Sequence, residues 1–212
     1  MRYFANPTGS AVEAMKSGLI SLINTPSQGG ATPENLPPNV QWCADNGCFG
    51  KNYIGDDGFL RWLASYNAEQ ISRCKFAVAP DVVGDAQATL ERSSPFLPKI
   101  RSLGYPVAFV AQDGLEGTKI PWDDFDALFI GGSTEFKLGI VAKAAVAVAK
   151  RRGKWVHMGR VNSMRRLEYA TAIGCDSADG TFLIFGPDKN LPELLGWVRK
   201  VNQQTAMFGG QL

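Results

Sequence analysis

The sequence predicts an α/β fold built on a parallel sheet, open or closed. Three observations predict it. Short apolar runs rich in β-branched and aromatic residues recur along the chain at the length of buried strands. Helical patterns with recognisable starts and stops fall between them. Most of the runs end in a polar or glycine-rich turn, which is how strands of a parallel sheet hand over to the next helix.

In chain order the strands are expected at Arg2–Ala5, Val40–Ala44, Phe76–Ala79, Val107–Ala111, Ala127–Ile130 and Trp155–Met158, with a shorter one at Ile173–Cys175. Helices are expected over 9–23, after Thr8-Gly9-Ser10, and over 57–71, where Phe59, Leu60, Leu63 and Tyr66 share helical spacing. A further helix over 85–103 starts on the capping residue Asp85 and breaks at Pro95 or Pro98. The Ala/Val-rich stretch 137–151 ends in Lys150-Arg151-Arg152 before Gly153, which is good C-terminal chemistry. The last two helices are expected over 162–172, from Asn162 or Ser163, and over 190–203, from Asn190 with Pro192 near the first turn. The stretch 24–39, NTPSQGGATPENLPPN, reads as a long surface loop.

The chain has 212 residues, 45% hydrophobic and 20% charged. That suits one domain over 1–212, with a core large enough to need no staples. The net charge of +2 carries no strong signal for a polyanion. No run of ~18 apolar residues predicts a membrane span. The N-terminal MRYFANPTGS lacks the apolar core of a signal peptide, so the expected location is the cytoplasm. Cys43, Cys48, Cys74 and Cys175 match no zinc spacing and are expected as free, buried thiols. His157 is the only histidine, which leaves little scope for a histidine-based metal site, and it is expected to be structural. No GxGxxG or P-loop spacing occurs, so neither a dinucleotide nor another cofactor is expected.

The strand ends concentrate polar residues: Asp45-Asn46-Gly47, Asp81, Gln112-Asp113-Gly114, Gly131-Gly132-Ser133, Gly159-Arg160 and Asp176-Ser177. Any one acid there is explained by turn formation. As a set at the edge where parallel sheets carry their sites, they point to function. Paired carboxylates suit glycosidic chemistry. A glutamine and glycine turns suit reading the edge of a flat base.

These motifs resemble, in order over roughly residues 40–190, those of the tRNA-guanine transglycosylase superfamily. ADNGCFG, with Asp45, resembles its D-S-G-G-F segment. APDVVGD places Asp81 as the base-recognition aspartate, and VAQDG places Gln112 as the glutamine of its V-Q-G-G turn. Gly131 and Gly132 in LFIGGSTEFK resemble the glycine turn that contacts the base. HMGRVNSMRRLEYATAIGCDSADGT resembles its M-G-V-G…D-x-x-D-C region, which implies Met158 beside the base and Asp176 as nucleophile. Phe49 would stack on a base, and Arg160, Arg165 and Arg166 would grip phosphates.

The resemblance implies a compact (β/α)8 TIM-like barrel; no metal is expected, because the cysteine spacing and the single histidine match no zinc site, and no cofactor is expected either. The implied activity is a pentosyl transfer: guanine in nucleic acid is replaced by a 7-deazaguanine such as preQ0 or preQ1, through a covalent aspartyl-glycosyl intermediate. The family's zinc cysteines and the arginines that come after its nucleophile are missing here. That favours DNA over tRNA, as in the shorter relatives known from phages and genomic islands, which would place the protein in a host cytoplasm. A homodimer or a partner subunit is the further partner considered beside DNA and the 7-deazaguanine base. The alternatives from other classes are a glycosylase that hydrolyses the bond and a non-catalytic nucleobase or nucleic-acid binder.

Overall fold

The computed structural model describes residues 1–208. Eight parallel strands close into a barrel in sequence order. They are β1 (Arg2–Ala5), β2 (Ser21–Asn24), β3 (Trp42–Ala44), β4 (Cys74–Val78), β5 (Val107–Ala111), β6 (Ala127–Ile130), β7 (Trp155–Met158) and β8 (Ser177–Asp179). β8 closes the barrel on β1 through the pairs Arg2↔Ser177, Tyr3↔Ala178 and Phe4↔Asp179. Among the described residues nine α-helices surround it: α1 (Ala11–Lys16), α2 (Asp56–Ala64), α3 (Ala68–Ser72), α4 (Ala86–Ser93), α5 (Leu97–Ser102), α6 (Thr134–Leu138), α7 (Ile140–Arg151), α8 (Met164–Ala172) and α9 (Pro187–Phe208). Among the same residues, no α-helix separates β2 from β3 or β5 from β6, so the outer ring is irregular. No helix there is long and apolar enough to cross a membrane.

Successive strand residues point to opposite faces, and this divides the apolar residues into two cores. Phe4, Ile23, Cys43, Phe76, Val78, Ala108, Val110 and Ala127 fill the barrel. Tyr3, Leu22, Trp42, Ala77, Phe109, Leu128, Val156, Met158 and Ala178 face outward and pack under the helices. Four expected strands, β1, β5, β6 and β7, are found at the expected residues.

The departures have local causes. β2 takes up the end of the expected helix 9–23 and the first residue of the expected loop 24–39: α1 stops at Lys16, and Gly18, at φ 73, turns the chain towards the fully buried strand Ser21–Asn24. The expected helix 57–71 is two helices, because Asn67 and Gln70 form a reciprocal capping box that starts α3. The stretch 85–103 breaks between α4 and α5, around Pro95, as its prolines require. Gly139 divides the stretch 137–151, leaving α6 capped by Ser133. The expected strand Ile173–Cys175 is a turn through Gly174, at φ 102, and the strand runs over Ser177–Asp179 instead. All four cysteines are free; three are buried and Cys48 is half-buried.

Candidate functional site

Asp45, Asp81, Gln112, Gly131, Gly159 and Asp179 gather at the C-terminal mouth of the barrel and line one cavity with Asn46, Phe49, Gly132 and Arg160. Alternation explains most of this convergence. Ala44, Ala111, Ile130, Met158 and Ala178 belong to the outward-facing core, so the residue after each of them turns inward. The floor is apolar, made by Ile23, Val78, Val110 and Phe129. The volume is about 230 Å³, just under the ~300–1,000 Å³ of sites for drug-sized ligands. It suits one flat heterocycle.

Asp45 accepts the Gly47 amide on Oδ1 at 2.8 Å. Protein surrounds its carboxyl except towards the cavity. Burial pushes its pKa up to about 7, the negative charges of Asp179 and Asp81 add to the rise, and the Gly47 hydrogen bond opposes it. A carboxyl poised there holds or releases a proton near neutrality.

Asp81 is held on both oxygens. Asn46 Nδ2 donates to Oδ1 at 2.8 Å and Gln112 Nε2 to Oδ2 at 2.7 Å. Burial raises its pKa, against those two hydrogen bonds and the attraction of Arg92. Gln112 is itself locked, since its Oε1 accepts the Gly84 amide at 3.0 Å. Gln112 therefore orients Asp81, and the remaining lone pairs of Asp81 form an acceptor edge in the cavity.

The glycine turn is built for close approach. A Cβ on Gly131 would lie 2.8 Å from Val110 Cγ1, and one on Gly132, at φ 70, would lie 2.7 Å from Asp113 Oδ2. Asp113 pins this turn by accepting the Ser133 hydroxyl at 2.6 Å and the Ser133 amide at 2.8 Å. Arg160 is the only described non-glycine residue with positive φ, at 58°. Its guanidinium donates to the Gly132 carbonyl and sits 5.1 Å from the centroid of the Phe49 ring. Phe49, 71% exposed, stands at the mouth.

Two expected site residues lie elsewhere. Asp176 precedes β8, at the opposite end of the barrel. It pairs with Lys150 at 2.6 Å and accepts the Val156 amide at 2.8 Å. The expectation of a strand at Ile173–Cys175 had put Asp176 at a strand end; with β8 at Ser177–Asp179, it is Asp179 that reaches the cavity. Met158 faces outward into the helix layer, because the inward positions of β7 are Trp155 and His157. Arg166 lies beside the mouth, its guanidinium 3.5 Å from Thr134 Oγ1, and Arg165 is exposed on α8.

Sequence reasoning gave no role in this region to Asn46, Asp179 or Lys137 and read His157 as structural. His157 Nε2 lies 2.8 Å from Asp179 Oδ1. Lys137 is buried on α6 and donates to the Gly159 carbonyl at 2.9 Å. Burial lowers its pKa to about 8, with Arg160 adding to the fall. The available signal was the second aspartate of Asp176-Ser177-Ala178-Asp179, three residues on and on the inward parity. Among the described residues no three His, Cys, Asp or Glu side chains converge so as to hold a metal ion.

The chain is thus a TIM-like barrel with a carboxylate-lined cavity at its C-terminal mouth. No family model matches it, and no curated protein matches it. Among solved structures, the Amycolatopsis orientalis BexX/CysO complex contains a chain that superposes with a TM-score of 0.58 at 15% identity, over 94% of this chain and 87% of that one. Tryptophan synthase from M. tuberculosis gives 0.53 at 14%, over 94% and 89%. A native KDPGal structure gives 0.54 at 10%, over 98% and 97%. At such identities the likeness shows the barrel fold alone.

Proposed function

We propose that this barrel is a base-exchange transglycosylase that replaces guanine in DNA with a 7-deazaguanine of the preQ0 or preQ1 type. One observation carries the reading: a single small cavity holds a carboxyl with a pKa near 7, Asp45, a second carboxylate in contact with a buried histidine, Asp179, and a third held on both oxygens, Asp81. Guanine offers N1–H and the 2-amino group side by side, and a carboxylate with free lone pairs matches that pair of donors.

Asp179 replaces Asp176 as the nucleophile in this reading. Its carboxylate attacks C1′ of a nucleotide turned out of the stack. The C1′–N9 bond breaks, and protonated Asp45 gives its proton to the departing guanine. A 7-deazaguanine then enters. Asp45 takes the proton from its N9, N9 attacks C1′, and the Asp179 ester bond breaks to restore the carboxylate. The proton lent in the first half returns in the second, so nothing else is consumed.

DNA is favoured by the residues just after Asp179. The sequence Gly180-Thr181-Phe182 has no arginine where the tRNA-acting relatives carry theirs. In this reading Phe49, at the mouth, stacks on a neighbouring base, and Arg160, Arg165 and Arg166 contact flanking phosphates.

The test is incubation with labelled preQ0 and, in parallel, duplex DNA, single-stranded DNA or tRNA, followed by nucleoside analysis. Label in DNA, lost on Asp179→Asn, is the expected result. Label in tRNA alone overturns the DNA assignment. Free guanine without incorporation shows hydrolysis instead, and no reaction with any of them overturns the enzyme reading.

A further inference from the structure

We propose that Trp155, Ser177 and His157 form a chain of positioning residues that fixes the proton of His157 on Nε2 and so aims the Asp179 carboxylate; the consequence for turnover rests on the base-exchange reading, the proton placement does not. The four residues occupy the inward positions of two adjacent strands, with His157 paired to Ser177 in register. Trp155 Nε1 lies 2.8 Å from Ser177 Oγ. An indole nitrogen only donates, so the hydroxyl accepts there and keeps its own proton to give. His157 Nδ1, 2.8 Å from the same oxygen, is placed to receive it. An imidazole that accepts at Nδ1 carries its single proton on Nε2, and Nε2 faces Asp179 Oδ1 at 2.8 Å.

The direction of the chain therefore comes from its first member. Each link is a donor with one acceptor, running from the barrel interior to the carboxylate at the cavity. The ring is held as well as polarised. His157 is fully buried, and Phe4, Phe76 and Phe129 surround it with centroids at 5.8, 5.1 and 4.6 Å. With Oδ1 engaged, the other oxygen has, among the described residues, only the Arg160 amide, at 3.4 Å. That long contact leaves Oδ2 as the oxygen free to react. Barrel interiors of this kind are filled by branched apolar side chains, and a polar file through one is costly unless every member is paired. Here every member is paired, and the file ends on a cavity-lining acid.

Because His157 is the only histidine, 15N-labelled protein yields a single imidazole spin system, and its tautomer can be read without any reaction. The expected result at neutral pH is the Nε2–H tautomer with unprotonated Nδ1. An Nδ1–H tautomer or an imidazolium overturns the chain. In the exchange assay, His157→Phe, which suits the aromatic surroundings, is expected to lower kcat by ~10²-fold through misplacement of the carboxylate, with KM for DNA little changed. His157→Gln, which can still donate to Asp179, should recover part of the loss. Equal kcat for His157→Phe and wild type overturns the positioning role. If wild-type protein exchanges no base, the functional reading fails while the tautomer still decides the chain.

Discussion

Asp45→Asn should make the protein more stable at alkaline pH while abolishing base exchange. The folded-state pKa of Asp45 is raised from the ordinary 3.8 to about 7, chiefly by burial. Below about pH 4 the carboxyl is neutral in both folded and unfolded chains, and its titration contributes nothing. Between 4 and 7 the unfolded chain ionises while the folded one holds its proton, so stability falls as pH rises. Above 7 both are ionised and the folded state carries the full penalty. At ~1.36 kcal/mol per pH unit, that rise is worth ~4 kcal/mol; allowing for solvent reaching the carboxyl through the cavity, ~2–4 kcal/mol is expected. Asparagine removes the charge, fits the same space and can still accept the Gly47 amide. Urea unfolding of both proteins at pH 4, 6 and 8.5 measures this directly. The gap in favour of the variant should be near zero at pH 4, grow through pH 6 and level off above 7. A variant less stable than wild type at pH 8.5, or a gap independent of pH, would refute the reasoning. A group that costs folding energy in its ionised form is what a proton-transfer site at neutral pH requires.

Three further expectations separate the cavity from the rest of the molecule. Asp179→Asn should abolish exchange, whereas Asp176→Asn should retain it and cost ~1 kcal/mol in chemical denaturation, since the Lys150 pair is part-exposed; loss of exchange in the second would return Asp176 to the mechanism. Gly131→Ala places a Cβ 2.8 Å from Val110 Cγ1 and 3.1 Å from Gln112 Nε2. It should destabilise by ~1–3 kcal/mol through overpacking and raise KM for the deazaguanine by disturbing the Gln112–Asp81 pair, and an unchanged KM would show that this turn does not shape the base site. Binding of DNA should weaken with salt, and Arg166→Ala should reduce the slope of log K against log[salt] by ~0.9, one phosphate's worth; an unaltered slope would remove Arg166 from the contact surface.

The apolar runs of β1, β5, β6 and β7, and the polar or glycine turns after them, were readable without the structure, because burial between two layers imposes long apolar stretches and parallel strands end in turns. The same reading placed Asp45, Asp81, Gln112, Gly131 and Gly132 at strand ends, and all five meet in the cavity. What only the tertiary structure decided is where runs too polar or too ambiguous for that rule become strands. β2 is a four-residue strand that helical spacing had absorbed, and only its pairing with β1 and β3 separates it. β8 is Ser-Ala-Asp, without the apolar signature, because its two inward positions carry polar groups that are satisfied by His157 and not by an apolar core. Strand register then sorts residues by parity. A shift of β8 from 173–175 to 177–179 moves the site from Asp176 to Asp179. The inward positions Trp155 and His157 turn Met158 away from the cavity and bring a histidine with no local motif into contact with Asp179. Side-chain direction alternates with every residue, so which member of a neighbouring pair reaches the cavity is decided by hydrogen bonds between strands distant in the chain.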